Sequence, residues 1–512
     1  MISFGRSRAR SLILVAACVA CSSGGGKSDA GATGGSGGSN AGSGGVPAAG
    51  SGGAGGVGGT AGGGGTTGAA GSGGTTGNAG RGGTGPGGTP AGTCTFDVQH
   101  MASPAIGTVE IVTWALDESG LTEARIEFGP AGAAPTWTAP VDLADPLHRT
   151  LLLGLKGQKP YTFRIVARAG TKTCTSADVS FTTGAVPSNA PKITTTKPKP
   201  GMAAKGFMVT TIGVDNTNRS GGQPDAYIFD TDGDVVWWTS TALDRSRNGI
   251  SRAHLSWDAK SLWVMTSTNA KILHISMDGL TTTDYTAFIT KAHHDFTVLP
   301  DGGIATMLDP LTTGGLESIV EMKADGTITT VVADLTTLYQ PGGTGPYPNA
   351  IHYYPADDSY TVSDHEANLF VKFRRSGQLV WQLGGTNPLG KSFALVGLDQ
   401  WRVNHGHHLT PDGRFLFFNN NPNNNGYIAR IFEVLLDETN NTATKTWEYS
   451  FSSTAIALGD AERLPNGNAL VTNSVQGVMQ EVDRTGTIVQ TFTNTTFGYV
   501  DFRTSLYGPP PR

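Results

Sequence analysis

A hairpin phrase that recurs at a long and regular interval is the feature that most restricts the fold of this chain. In each copy an alternating apolar strand enters a tight turn with a glycine and leaves it as a second strand. The turn glycines are Gly233, Gly279, Gly326, Gly377 and Gly486. A pattern of this kind predicts a modular, all-β fold in which each unit packs against the next.

The spacing of these glycines sets the number of units. The first three steps are 46, 47 and 51 residues, and the last gap of 109 residues is long enough for two units. The run Ile431 to Asp437 supplies the missing hairpin. Four short strands at this period are typical of a β-propeller, whereas a sandwich or β-helix does not require so regular a long period. We therefore predict a six-bladed β-propeller over residues 202–507.

A second repeated phrase places polar residues at equal positions of successive units. His294, Asn349 and His405 each stand six residues before the proline of a strand-ending turn, and Gly459 has this position in a fourth copy. Equal positions in equal repeats occupy equal places in a symmetric fold, so these three side chains should lie around one mouth of the central channel. An alternative is that they are ordinary hydrogen-bonded residues of a wet channel.

The run His405-Gly-His-His adds an expectation about side-chain direction. Side chains alternate along a strand, so His405 and His407 should face the channel while His408 points away.

The first 21 residues have the pattern of an export signal. A basic start with Arg6, Arg8 and Arg10 precedes an apolar run that is too short to span a bilayer. The phrase Val15 to Cys18 resembles a bacterial lipobox, whose cysteine becomes lipidated, and Cys21 is a second candidate. We expect a lipid anchor in the bacterial cell envelope, facing the periplasm or on the cell surface; a cleaved signal with incidental cysteines is the alternative.

Residues 22–92 are almost entirely Gly, Ser, Thr and Ala, and they hold close to half of the 73 glycines of the chain. Such a segment has no apolar surface to bury against the entropy of ordering, so we expect a disordered tether. The net charge of -5 therefore mostly describes the rest of the chain. Without a basic stripe, that remainder is a poor partner for nucleic acid.

Residues 93–184 alternate like a small β-sandwich and resemble a fibronectin type III domain. The resemblance rests on Leu152 to Leu155 followed by Tyr161-Thr-Phe-Arg-Ile-Val-Ala, with Trp114 on an early strand. Cys94 and Cys174 stand near opposite ends of this domain, and in an exported protein we expect them to pair; the alternative is two free thiols. Residues 185–201, rich in Pro, Lys and Thr, are expected to be a linker.

Three phrases of the last domain resemble the central motifs of the bacterial arylsulfotransferase family. They are Asn349 to Ile351, Asp357 to Phe373 with its Ser-Asp-His, and Ser376-Gly-Gln-Leu-Val-Trp-Gln-Leu-Gly-Gly385. His293-His294-Asp295 resembles the first histidine motif of that family, and Asn404-His405 resembles its later Gln-His.

This resemblance implies a propeller that moves a sulfuryl group from a phenolic sulfate ester to a phenol acceptor, with no metal or nucleotide cofactor. By motif, His405 is the nucleophile that forms a sulfohistidine, while His294 and Asn349 hold sulfuryl oxygens. The same motifs place Tyr347, His365 and Asp364 in the substrate site, and Arg402 is a further candidate for substrate binding. The sequence leaves open the donor, the acceptor and the oligomeric state.

Two positions depart from the family pattern. Tyr347 replaces a histidine, and Asp364 replaces the arginine of Ser-x-Arg-His. A carboxylate beside an anionic sulfuryl group has the wrong sign, repelling it by about 1 kcal/mol at 4 Å in water and more in a drier site. Arg402, Arg252 or Arg503 are candidates to restore the positive charge, and Asp364 could instead orient a histidine.

Two further functions remain alternatives. One is a non-catalytic envelope module whose propeller binds a ligand or a protein, which the tether and the sandwich would suit. The other is a metal-dependent site built from His405, His407, Asp364 and His294, since two histidines in a His-x-His strand can present two ligands together.

Overall fold

The computed structural model describes residues 94–212, 226–239, 250–266, 271–309, 316–341, 345–399, 401–420 and 428–510. The predicted signal peptide, both candidate lipidation cysteines and the glycine-rich segment lie outside these residues. Within the described ranges the structure is strand and turn, with two 3-10 helices at Pro200–Met202 and Leu335–Thr337. No helix in this part of the chain is long and apolar enough to cross a bilayer.

The first domain consists of two packed antiparallel sheets. One sheet contains β1 (Phe96–Ala102), β2 (Glu110–Leu116) and β5 (Thr150–Leu152). The other contains β3 (Leu121–Pro130), β4 (Trp137–Pro140), β6 (Pro160–Ala169), β7 (Lys172–Thr175) and β8 (Val179–Thr182). Trp114, Phe163 and other alternating residues of both sheets form one buried core. The predicted β-sandwich is present, and its type III assignment stays a prediction.

The sandwich contains the predicted disulfide. Cys94 and Cys174 are bonded, with their Cα atoms 5.7 Å apart and 80 residues between them in sequence. In the chain-entropy model a loop of this length stabilises the fold by roughly 4 kcal/mol.

Six further sheets follow one another along the chain, all antiparallel except for one parallel strand pair in the fifth, which confirms the predicted six-bladed propeller. Blade 1 contains β10 (Phe207–Thr211), β11 (Ala226–Asp230), β12 (Val235–Trp238) and the C-terminal β34 (Val500–Arg503). Blade 2 contains β13 (Ile250–Leu255), β14 (Ser261–Thr266), β15 (Ile272–Ser276) and β16 (Thr282–Asp284). Blade 3 contains β17 (Ala292–Val298), β18 (Ile304–Leu308), β19 (Ser318–Met322) and β20 (Ile328–Val332).

The remaining three blades repeat this order. Blade 4 contains β21 (Pro348–Tyr354), β22 (Ser359–Asp364), β23 (Leu369–Arg374) and β24 (Leu379–Gly384). Blade 5 contains β25 (Ala394–Val396), β26 (Asn404–Leu409), β27 (Arg414–Asn419), β28 (Ile428–Asp437) and β29 (Thr442–Thr454). Blade 6 contains β30 (Asp460–Arg463), β31 (Ala469–Asn473), β32 (Val478–Val482), β33 (Ile488–Thr493) and the early β9 (Thr194–Thr196).

Both ends of the propeller segment help to close the ring. Strand β34 pairs with β10 and completes blade 1 from the C-terminal side. Strand β9 pairs with β33 and adds an outer edge to blade 6. Residues 185–201, which we expected to be a linker, therefore contain a strand of the ring.

The inner strands β13, β17, β21, β26, β30 and β34 contact one another in succession around the channel. In blades 2 to 5 the pairing register shifts near the start of the inner strand, for example between His293 and Phe296 and between Asn404 and His407. Such bulges bend a strand and re-aim its side chains. The repeated bulge thus gives one end of the channel its own side-chain geometry.

The sandwich packs against blades 1 and 2 at the opposite end of the ring. Thr108 Oγ1 donates to the Val236 carbonyl at 2.6 Å, and Ser103 Oγ donates to the Asp278 carbonyl at 2.5 Å. Asp278 lies in the turn after β15, and alternating strands place that turn away from the start of the inner strands. The end of the channel with the bulges is therefore not the end that the sandwich contacts.

Candidate functional site

Four aromatic side chains follow one another at the bulged end of the channel, and we call them the histidine mouth: His294, Tyr347, His365 and His405. Their ring centroids are 5.3 Å apart from His294 to Tyr347, 4.2 Å from Tyr347 to His365 and 5.9 Å from His365 to His405. They come from blades 3, 4 and 5. The structure thus brings together residues that lie more than a hundred positions apart in sequence.

Backbone geometry at the bulges directs the two outer histidines of this series. His294 has a φ of 59°, in the left-handed region that residues other than glycine rarely adopt. Beside His405 the chain has glycine because a Cβ on Gly406 would lie 2.1 Å from Asp460 Oδ1. Strain and close approach of this kind often accompany functional sites.

A neighbouring amide fixes the tautomer of His405. Asn420 Nδ2 donates to the Leu458 carbonyl at 2.9 Å, which turns its Oδ1 toward His405 Nδ1 at 2.6 Å. Because Oδ1 can only accept, Nδ1 carries the proton and Nε2 keeps its lone pair. Burial lowers the pKa of His405 to about 4, although the bond to Asn420 and the backbone of Val403 oppose the shift. His405 is therefore a neutral imidazole at neutral pH.

His365 is also neutral. Burial, followed by the proximity of His405, lowers its pKa to about 3. Its Nδ1 atom is buried and has no hydrogen-bond partner among the described residues, and the carboxylate oxygen Oε1 of Glu366 lies 3.8 Å from it. A buried polar atom without a partner is costly, so its occurrence beside three other aromatic rings favours a ligand-binding role.

His294 belongs to a row of three polar groups. Its Nδ1 lies 2.6 Å from Nδ1 of His293, and His293 Nε2 lies 3.0 Å from Glu317 Oε2. Burial lowers the pKa of His294 well below its usual value, and the neighbouring histidines add to the shift. Burial also opposes protonation of His293, but the bond and charge of Glu317 outweigh it and raise its pKa.

Asp364 does not present its charge to the mouth. One carboxylate oxygen accepts from Tyr339 Oη at 2.6 Å and from Tyr347 N at 2.7 Å. The other accepts from Glu366 N at 3.0 Å and from Ala367 N at 2.9 Å. The side chain is fully buried, and burial raises its pKa although the hydrogen bonds oppose this. The carboxylate thus holds the turn after β22 and the backbone of Tyr347, and its four described hydrogen-bond donors all belong to the fold.

Asn349 and Asn404 connect the inner strands just below the mouth. Asn349 is buried and donates through Nδ2 to the Asn404 carbonyl at 2.7 Å, while its Oδ1 has no hydrogen-bond partner among the described residues. Asn404 donates to Ser363 Oγ at 2.7 Å and accepts from Trp401 Nε1 at 3.1 Å. Asn349 is thus near His405 in the fold, and one of its two amide protons is used by the backbone.

The arginines considered for the missing positive charge lie elsewhere. Arg402 is exposed, and its backbone nitrogen donates to Asn419 Oδ1 at 3.2 Å. Arg503 is buried and donates to the Gly508 carbonyl at 2.6 Å.

Arg252 lies on the channel axis, where its Nε donates to Asp295 Oδ1 at 2.7 Å and its Nη1 to Asp460 Oδ2 at 3.2 Å. We call Arg252, Asp295 and Asp460 the axial ion cluster. Its two carboxylates balance the arginine, so Arg252 does not supply a spare charge to the mouth.

The expectation that His407 faces the channel together with His405 is wrong because the bulge shifts the alternation of side chains. His407 Nε2 lies 2.7 Å from Thr361 Oγ1, and its ring packs against Phe370 between blades 4 and 5. His408 Nδ1 instead accepts from Arg463 N, on the inner strand of blade 6, at 2.9 Å. His405 and His407 therefore do not face the same way.

These positions also separate the residues of the metal alternative. His407 is turned into the blade interface, and all acceptor sites of Asp364 are used by hydrogen bonds within the fold. The four residues proposed for that site do not form one cluster.

The sequence did not predict roles for Asn420 and Glu317, and it gave His293 only as part of a motif, without a role of its own. Asn420 follows β27 and Glu317 precedes β19, so neither lies on an inner strand where the repeat was visible. The run Asn419-Asn420-Asn421 and the doubled histidine at 293 were the available signals. Only the fold shows which atoms these residues contact.

The fold and site define a six-bladed propeller with a histidine-rich channel mouth. Residues 346–495 match the family model described as Arylsulfotransferase (ASST). This match supports the arylsulfotransferase family for that part of the chain and aryl sulfotransfer in general, and the matched residues include His365, His405 and Asn420. Comparison with curated proteins found no match.

Solved structures were compared as well. A protein of unknown function from Bacteroides thetaiotaomicron is 14% identical, with 79% of this chain and 99% of that chain covered and a TM-score of 0.35. A catalytically inactive virginiamycin B lyase from Staphylococcus aureus is 15% identical, with 58% and 88% covered and a TM-score of 0.35. TolB from Acinetobacter baumannii is 11% identical, with 68% and 79% covered and a TM-score of 0.38. The fold assignment rests on the strand pairing, not on these weak likenesses.

Proposed function

We propose that this protein transfers a sulfuryl group from a phenolic sulfate ester to a phenol acceptor through a sulfohistidine at His405. The observation that carries the proposal is the tautomer of His405. Asn420 holds the proton on Nδ1, so the lone pair of Nε2 is available at a site formed by two other neutral rings. A neutral imidazole in this state is a competent nucleophile.

In the first half of the reaction, Nε2 of His405 forms a bond to sulfur as the bond from sulfur to the aryl oxygen breaks. The electron pair of that bond leaves with the phenolate, which takes up a proton. In the second half the oxygen of the acceptor phenol attacks the sulfur and loses its proton, and the bond from sulfur to Nε2 breaks. The sum is a transfer without net gain or loss of protons.

The site also suits the charge that develops. Donors at His294 and His365 could bind sulfuryl oxygens in place of water, and preorganised donors of this kind typically contribute 10²- to 10³-fold each. Asp364 does not oppose them, because its oxygens are used within the fold. Tyr347 takes the place of the family histidine with a ring that packs against both neighbours.

We further propose that the enzyme acts in the bacterial cell envelope, lipid-anchored through Cys18 or Cys21. The support is the pattern of residues 1–21 and the glycine-rich segment that follows. The disulfide suits an oxidising compartment outside the cytoplasm.

The test is to incubate the purified protein with a chromogenic aryl sulfate, with and without a phenol acceptor, and to follow phenolate release. Intact-protein mass spectrometry without acceptor should show the mass of one added sulfuryl group, and peptide mapping should place it on His405. Absence of both turnover and label across a panel of aryl sulfates would contradict the proposal and support a binding function. A label on another histidine would contradict the assignment of the nucleophile.

A further inference from the structure

The row Glu317, His293 and His294 contains polar groups that the proposed transfer has not yet used. His293 is 5% exposed, yet both of its ring nitrogens have partners, Nε2 at Glu317 and Nδ1 at His294. The ring of His294 packs against Tyr347 in the mouth, and its Nε2 makes no hydrogen bond among the described residues. The arrangement connects a carboxylate at the edge of the mouth to the atom that would meet substrate.

The short contact between the two histidines limits where protons can be. Two Nδ1 atoms 2.6 Å apart have room for one proton between them. If His293 carries protons on both nitrogens, its Nδ1 donates to His294, and His294 must then be protonated on Nε2. If His293 is neutral with its proton toward Glu317, His294 donates from Nδ1 instead and its Nε2 is a bare acceptor. Adding one proton to the row therefore converts Nε2 of His294 from a hydrogen-bond acceptor into a donor.

We propose that Glu317, His293 and His294 form a proton relay that protonates the leaving phenolate and later accepts the proton of the phenol acceptor. This rests on the proposed sulfuryl transfer. In the first half-reaction Nε2 of His294 gives its proton to the phenolate oxygen, and the proton on His293 Nδ1 moves to His294 Nδ1. His293 becomes neutral while Glu317 keeps its charge. The acceptor phenol reverses these two steps, so the row returns to its starting state.

The charges around the two histidines favour the cation on His293 and a neutral ring on His294. Glu317 and the exposed Asp309, whose Oδ1 lies 3.9 Å from His293 Nε2, face His293 from the segments next to β19 and β18. On the other side His294 faces Tyr347, His365 and His405, of which both histidines are neutral. The charge of Glu317 also contributes to the raised pKa of Tyr339. The cation is therefore favoured on His293, beside the carboxylates, and disfavoured on His294.

His293 and Glu317 are positioning and proton-storing residues, and His294 is the group that would touch the reacting oxygen. The relay also supplies the positive charge that the family arginine would have provided at position 364. Before the transfer the row holds one cation near the mouth, paired with Glu317.

The experiment compares Glu317→Gln with wild type on two donors, phenyl sulfate and para-nitrophenyl sulfate. Glutamine can still accept the bond from His293 but does not stabilise its cation. We expect kcat/KM for phenyl sulfate, which needs a protonated leaving group, to fall by roughly 10²-fold, since general acids contribute 10²- to 10⁴-fold. The value for para-nitrophenyl sulfate, whose phenolate leaves unaided, should fall by less than about threefold. Asp309→Asn is the matched control, because it removes an exposed charge near the same nitrogen without a hydrogen bond, and it should lower the value for phenyl sulfate much less than Glu317→Gln does.

A second measurement does not depend on turnover. Nitrogen-15 NMR of histidine-labelled protein at neutral pH should show one buried histidine protonated on both nitrogens, and this signal should be absent from both His293→Gln and Glu317→Gln.

A neutral His293 in the wild-type protein would overturn the relay. Equal losses for both donors in Glu317→Gln would also overturn it, as would activity that is lost to a chelator and restored by a divalent cation. If the wild-type protein turns over no aryl sulfate, both the proposed function and the relay are wrong. That outcome is distinct from any pattern of kcat/KM losses in Glu317→Gln, which can be measured only if the wild-type enzyme is active.

Discussion

The histidine mouth and the axial ion cluster lie in the same channel and use their polar groups in opposite ways. In the axial cluster Arg252 donates to both carboxylates, and those carboxylates also accept backbone bonds from Ile351 and Val500. In the mouth, His365 Nδ1 is buried without a hydrogen-bond partner among the described residues, and the only side-chain hydrogen bond described for the His405 ring is the one at Nδ1.

This difference separates structure from chemistry. Charges whose hydrogen-bonding capacity is fully used hold inner strands of several blades together and have nothing left for a ligand. Neutral rings with one free nitrogen add little to stability but can meet a substrate. Substitutions in the two regions should therefore affect different measurements.

The largest effect is expected for His405→Ala. Loss of a nucleophile removes the covalent intermediate, and in a well-studied protease it costs on the order of 10⁶-fold in kcat. Aryl sulfate turnover and covalent labelling should both be abolished, while the melting temperature changes little. His408→Ala, in the same strand, should retain near-normal turnover because His408 contacts Arg463 N and not the mouth. Normal turnover in His405→Ala would contradict a chemical role for the histidine mouth.

Arg252→Met should have the reverse effect. It leaves Asp295 and Asp460 buried without their cation, and breaking a buried ion pair typically costs about 3–5 kcal/mol. Urea unfolding should show this loss, whereas the folded fraction should keep the labelling rate. Lys323→Met, an exposed cation of blade 3, should change the unfolding free energy by less than about 0.5 kcal/mol. Equal stability of Arg252→Met and Lys323→Met would show that the axial cluster is not structural.

Asn420→Ala tests how the mouth is oriented. It removes the acceptor that fixes the His405 tautomer, and loss of an orienting partner typically costs 10- to 10²-fold in activity. Asn420→Asp loses the same bond to Leu458 but keeps an acceptor for His405, so it should label at least as fast as Asn420→Ala. The labelling rate of both variants, measured at one aryl sulfate concentration, checks this order. The reverse order would mean that Asn420 acts by packing and not through the tautomer.

The smallest effect concerns pH. Because the pKa of His405 is about 4, its reactive neutral form is fully populated at neutral pH and is lost as the pH falls through about 4. The labelling rate should be level from pH 7 to about pH 5 and then fall about tenfold per unit below pH 4. Circular dichroism at each pH identifies any unfolding. A decline centred near 6.5, the ordinary value for histidine, would show that His405 is not buried as described.

The sequence was sufficient to predict the fold because the repeat period gives the number of blades and their order around the ring. The six blades, the inner strands before the Pro-Asp-Gly turns and the Cys94–Cys174 bond all follow from spacing and context. The arylsulfotransferase resemblance is confirmed over residues 346–495. The strand in residues 194–196 was not predicted, because three threonines carry no apolar alternation.

The site could be predicted only in part. His294 and His405 were visible from their equal positions, but the direction of each side chain depends on bulges that a period of two cannot anticipate. Asp364 looked unfavourable by its charge until its four donors were known. Asn420 and Glu317 act through single contacts made by loops, and such contacts leave no periodic trace in the sequence. The roles of the individual site residues stay predictions until the variants are measured.

The closure of blade 1 by β34 has a consequence for how the protein folds. The strand that completes the first blade comes after all the other described strands in the sequence, so blade 1 lacks its inner strand until residues 500–503 are available. Its partner β10 lies almost 300 residues earlier, and pairings of such high contact order are slow to form. Tyr499, whose ring lies 4.5 Å under the Arg252 guanidinium, is delivered by the same late strand. We therefore expect the axial ion cluster to be completed late in folding, after β34 has paired with β10.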